Sequence, residues 1–154
     1  MLETIVTGAF VGIVSGGLTG WFASWLASRR FREQKWWEKK SEAYSELINA
    51  IHEAKQFSET HYSAVLEGRD VAKQKDAELR EQYQNANREI RRAMDIGRLH
   101  FCDQAVQRLH IFQKDSDAAR NADDWFDHLE KNLVAYNECL SDLTKIARED
   151  LRIT

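Results

Sequence analysis

Proline is absent from this chain of 154 residues, and five of its seven glycines fall within the first twenty positions. With no ring to break a helix and almost no glycine to terminate one, everything after residue 20 reads as helix interrupted by few turns. Cysteine is scarce too: Cys102 and Cys139 stand alone, with no CxxC partner, which excludes a disulfide framework and a zinc ribbon or finger. Positive charge is not in excess, since 22 Lys and Arg face 25 Asp and Glu for a formal net charge of -3. A dedicated nucleic-acid binder is basic, so that class is set aside. The length favours one domain over several.

What is present begins with an apolar block. Residues 4–27 read TIVTGAFVGIVSGGLTGWFASWLA without a formal charge, where about 20 such residues suffice to cross a bilayer as a helix. Only Met1, Leu2 and Glu3 precede it, too little for the basic leader of a cleavable signal. The stretch RRFREQKWWEKK follows, with Arg29, Arg30, Arg32, Lys35, Lys39 and Lys40 against Glu33 and Glu38. By the positive-inside rule it places the C-terminal part in the cytoplasm and the N-terminus outside an inner membrane, with Arg29, Arg30, Arg32 and Lys35 at anionic lipid headgroups.

Small residues recur in the block at steps of four. Gly8, Gly12, Gly16, Gly20 and Ser24 form one bare ridge, along which helices in lipid approach closely. A homo-oligomer is expected from it. The adjacent row of Thr7, Val11, Ser15 and Thr19 then becomes the candidate lining of a weakly selective pore.

After the block the pattern becomes amphipathic. Trp37, Ala43, Tyr44, Leu47, Ile48, Ile51, Ala54 and Phe57 recur at three and four residues, so the membrane helix is expected to run on to a stop at Gly68, about 100 Å in all. A second helix is expected from Asp70 to Ile96, closed by Gly97. A third is expected from Asp103, fading at residues 114–117, and a fourth from Asn121 or Asp123 to Leu151. The fold class expected is all-α: a single transmembrane helix, residues 1–28, continuing into a cytoplasmic antiparallel four-helix bundle, residues 29–154.

Chemistry is sparse. His52-Glu53 fails the HExxH zinc pattern because residue 56 is Gln. His100, Cys102 and His110 match no standard metal spacing. No G-x-S-x-G elbow or phosphate-cradling glycine loop occurs. Arg88, Arg91, Arg92 and Arg98 are interleaved with Glu89 and Asp95, the pattern of a solvated face. No catalytic residue, metal or cofactor is expected, and the chain reads as a non-enzyme.

The span running into WWEKKSEAYSELI, the later GRLHF turn and the terminal IAREDL resemble the small membrane-anchored helical proteins of bacteria. Within that group the architecture is similar to the membrane-embedded, HEPN-like accessory protein of type VI-B CRISPR loci. The resemblance implies an oligomeric pore-forming or membrane-permeabilising effector in antiphage defence, with the bilayer, further copies of itself and a cytoplasmic defence protein as partners. It does not carry over a HEPN-type site, which needs four to six residues between Arg and His; Arg92 and His100, like Arg120 and His128, have seven between them. Two alternatives stand beside this reading: a membrane-tethered scaffold that recruits a cytoplasmic partner without conduction, and a degenerate HEPN-type ribonuclease.

Overall fold

The computed structural model describes the backbone of residues 2–153 and the side chains of residues 28–153. Four helices follow one another: α1 (Leu2–Leu66), α2 (Lys73–Ile96), α3 (Asp103–Arg120) and α4 (Trp125–Asp150), with a short 3-10 turn, Gly97–Leu99, between α2 and α3. The chain divides into two compact units, residues 1–38 and residues 39–154.

The second unit is an antiparallel four-helix bundle. His61 faces Asp76 and Phe57 faces Tyr83, so α1 and α2 run in opposite directions. Tyr44 meets Asp150 while Tyr62 stacks on Phe126, which sets α4 antiparallel to α1. Arg108 on Asp142 and Ala119 on His128 do the same for α3 and α4. The core is filled by the residues whose spacing puts them on one face: Tyr44, Leu47, Ile51 and Ala54 from α1, Ala86 and Ile90 from α2, Leu109 and Phe112 from α3, and Tyr136, Leu143 and Ala147 from α4. Each large apolar side chain withdrawn from water in this way contributes about 1.5–3 kcal/mol before chain entropy is set against it.

The helix ends have identifiable chemistry. Gly68 has a φ of +64°. Its N–H bonds the Val65 carbonyl while the Arg69 N–H reaches Ala64, the paired bonds of a Schellman cap. The expected stop at Gly68 is therefore present. Gly97 has another reason to be glycine: it is helical, with φ -59°, and an added Cβ there would stand 2.8 Å from Phe101 Cδ2. At the start of α4 the Asp124 carboxylate accepts from the Asp127 N–H. Asp70 lies outside α2, whose N-cap position is Ala72, and α3 continues to Arg120 instead of fading near residue 114.

The membrane part of the expected fold is corrected. Among the described residues no helix is long and apolar enough to cross a membrane. The reason is charge: from Ser28 onward α1 carries Arg29, Arg30, Arg32, Glu33, Lys35 and Glu38, and an Arg, Lys or Asp at the centre of a bilayer costs roughly 3 kcal/mol. The inward apolar faces of α2, α3 and α4 are committed to the bundle core. With no span among the described residues, the single-pass inner-membrane location, the bilayer as partner, the pore, and the resemblance to membrane-anchored bacterial proteins and the type VI-B accessory protein lose their support. The same holds for self-assembly and for an antiviral partner. The expected span, residues 4–27, with its ridge of Gly8, Gly12, Gly16, Gly20 and Ser24 and its row of Thr7, Val11, Ser15 and Thr19, lies outside the described side chains. The four-helix bundle itself is present.

Candidate functional site

Between α1 and α2, near the 3-10 turn, the bundle leaves a cleft of about 390 Å³. It opens there because two alanines, Ala43 and Ala93, take positions where larger side chains would close the seam. Leu47 and Phe101 complete an apolar floor. Glu42 and Glu46 on α1 and Glu89 and Arg92 on α2 form the rim, and Lys39 and His100 also line the cleft. Ile96 lies at its edge and is 45% exposed; Leu99, in the adjoining turn, is 66% exposed. A second hollow of about 290 Å³ lies farther along the same helix pair, lined by Asn49, His52, Glu53, Gln56 and Gln82.

The two Arg and His pairs separate here. Arg92 and His100 line the same cleft, with Arg92 3.7 Å from Glu89. Arg120 is held by Asp117 at 3.1 Å on the surface. His128 has a structural duty: its Nδ1 donates to the Ala119 carbonyl at 2.9 Å, and its Nε2 accepts from the Asn132 amide at 3.0 Å. The first bond joins α4 to the end of α3 and the second stays within α4, so both ring nitrogens are engaged and neither is left to move a proton. Of the arginine group on α2, Arg91 bonds the Asn87 carbonyl and Arg88 bonds Asn85. These are contacts within one helix, on an exposed face.

Among the described residues no three His, Cys, Asp or Glu side chains gather as a metal site, so His100, Cys102 and His110 are not brought together as ligands. Arg29 pairs with Glu33 at 3.0 Å and Lys35 with Glu38 at 3.2 Å, while Arg30 and Arg32 are exposed. Phe31, Trp36 and Trp37 beside them are exposed as well, which corrects the inward position expected for Trp37.

Two polar networks were not legible in the sequence. Arg108, only 8% exposed, donates from Nε to Asp142 at 2.7 Å and lies 3.9 Å from Asp115 and 3.8 Å from Glu138. It clamps α3 to α4. Asp150 accepts from Lys40 and from the Tyr44 hydroxyl, both at 2.7 Å, joining α4 to α1. Partial burial would raise the Asp150 pKa, but these two hydrogen bonds outweigh it and hold the carboxyl below its ordinary value. Neither network opens onto the α1–α2 cleft.

Comparison with protein-family models, with curated proteins and with solved structures gives no match. The functional reading therefore rests on the cleft.

Proposed function

We propose that the bundle is a non-enzymatic docking module, a helical scaffold that recruits a partner protein through the α1–α2 cleft. One observation carries the reading: an apolar floor of Ala43, Leu47, Ala93 and Phe101 lies open between two helices, with Ile96 and Leu99 exposed beside it and charged residues around it. Apolar surface ringed by polar groups is the ordinary anatomy of a protein interface. The largest polar networks, at Arg108 and at Asp150, join helices away from this cleft.

The test places a photo-crosslinking benzoylphenylalanine at Ile96 and, as a control, at the exposed Ile111 of α3. A discrete heteromeric adduct from position 96 is expected, missing from position 111 and lost when Ala93→Trp fills the floor. Adducts equal at the two positions, or indifferent to Ala93→Trp, would overturn the reading.

A second reading, RNA cleavage, has one observation behind it, the shared cleft of Arg92 and His100. RNA left intact by the wild-type chain removes it. Cleavage lost in His100→Ala would put it in place of docking.

A further inference from the structure

The two hollows on the α1–α2 face have a common plan. On α1 their walls are Glu42, Glu46, Asn49, Glu53 and Gln56, at spacings of four, three, four and three. On α2 they are Gln82, Glu89, Arg92 and Ile96, which fall on the same alternation when the exposed Asn85 is counted between the first two. Alternating steps of three and four keep each set on one face of its helix, so the two walls run side by side along the pair. Ala43 and Ala93 lower the floor of the seam, where a third helix axis would need to approach within about 8–10 Å.

The charge on these walls is uneven. Glu42, Glu46, Glu53 and Glu89 face Lys39 and Arg92. Arg92 is already beside Glu89, whereas Glu42, Glu46 and Glu53 take part in no ion pair among the described residues. The three lie along one side of α1 at intervals of about 6 Å and about 10 Å, one and two turns of helix. A helix docked along the seam would bring its own residues past them at matching intervals.

Resting on the docking reading, we propose that the occupant is a basic amphipathic helix of a partner protein. Its apolar stripe lies over Ala43, Ala93 and Ile96, and its Lys or Arg side chains reach Glu42, Glu46 and Glu53. The apolar floor supplies burial and the unpaired carboxylates supply orientation and preference, a helix-in-groove recognition mode.

The probe is a fluorescein-labelled peptide of two Leu/Lys heptads, about 14 residues, titrated with the full chain and followed by anisotropy. Saturable binding is expected, with no binding of the Leu/Glu counterpart. Combining Glu42→Gln, Glu46→Gln and Glu53→Gln should weaken it about tenfold, the product of three exposed pairs worth a few tenths of a kcal/mol each. These positions are exposed, so the triple variant keeps its fold. Glu130→Gln with Glu149→Gln, a charge change on α4, should leave the affinity within experimental error. Ala93→Trp should weaken binding with an unchanged circular dichroism spectrum.

Equal binding of the Leu/Lys and Leu/Glu peptides, or equal weakening by the α1 and α4 charge variants, would overturn the proposal. So would light scattering that shows a dimer of the chain which Ala93→Trp converts to monomer. If the Ile96 crosslink captures a partner that the Leu/Lys peptide does not displace, the helix inference falls and the docking reading stands. If position 96 gives no specific adduct, the docking reading falls with it.

Discussion

The Tyr44 hydroxyl donates to Asp150 Oδ2 at 2.7 Å across the junction of α1 and α4, while Lys40 holds the other oxygen of the same carboxylate. The Cys102 sulfur lies 3.6 Å from the same hydroxyl, so three segments distant in sequence meet at one phenol. Burial, followed by the bond to Asp150, raises the Tyr44 pKa above its usual range, and the phenol remains a donor at any ordinary pH.

This pair gives the bundle an acid-sensitive joint. A carboxylate whose folded-state pKa is depressed adds stability that is fully present above its unfolded value, about 3.9, and is lost as pH falls through the lower folded value. Wild type should therefore lose stability between about pH 5 and pH 2 more steeply than Asp150→Asn, with the two urea midpoints converging at the acid end. Near neutral pH, Asp150→Ala should cost about 1.5–3 kcal/mol, as expected for hydrogen bonds to a charged group. Midpoints that stay parallel across the acid range would show that the carboxylate charge is irrelevant to the joint.

Two helix C-termini share one backbone motif and differ in residue. Arg152 has φ +54°, with its N–H on Glu149 and the Ile153 N–H on Arg148, the same pair of bonds that Gly68 completes at the end of α1. An L side chain in this conformation costs about 1–2 kcal/mol. Gly68→Ala should accordingly destabilise the chain by about 1 kcal/mol although nothing lies within 4 Å of the new methyl, and Arg152→Gly should stabilise it by up to about 1 kcal/mol. Thermal midpoints moving in opposite directions are the expected result.

Arg108 is the other polar clamp. Its guanidinium is buried, but its three carboxylate partners remain substantially exposed, so removing the cation leaves them solvated. Arg108→Ala should cost about 2–3 kcal/mol, below the upper range for breaking a fully buried pair. Arg108→Met should recover part of that by keeping the apolar stem packed. Chemical denaturation of both variants checks the order, which an ionic contribution alone would not produce.

The two thiols should differ in reactivity. Cys139 is fully buried, and desolvation pushes its thiol up to about 12 against the opposing charge of Arg108, while Cys102 is only partly covered. Ellman's reagent should titrate Cys102 in the native chain and reach Cys139 on the timescale of unfolding. Fast reaction of both thiols would mean that the core around Leu143 and Tyr136 opens readily.

Much of the bundle was legible from spacing. Tyr44, Leu47, Ile51, Ala54 and Phe57 lie inward as their three-and-four recurrence requires, and the same holds for Leu79, Ala86 and Ile90, for Ala105, Leu109 and Phe112, and for Leu129, Tyr136 and Leu143. Periodicity locates the inward face of a helix; it cannot tell which polar side chain a distant segment will cover. Arg108, Asn132 and Ser58 were missed for that reason. Trp37 falls on the inward stripe by spacing and is about half exposed. Gly97 ends α2 as expected, but the second demand on it, room for the Phe101 ring, comes from a neighbour fixed only once the turn has formed. The cleft left a faint mark in the sequence: Ala43 and Ala93 are small residues on inward stripes, but their opposition depends on the α1–α2 register. A membrane assignment built on an apolar block found no spanning helix among the described residues.

The most direct measurement is hydrogen exchange of the full chain, read by mass spectrometry with and without the Leu/Lys peptide. The account predicts slower exchange confined to residues 39–56 of α1 and 82–101 of α2 and its following turn. Protection centred on α3 and α4, or none at saturating peptide, would contradict it.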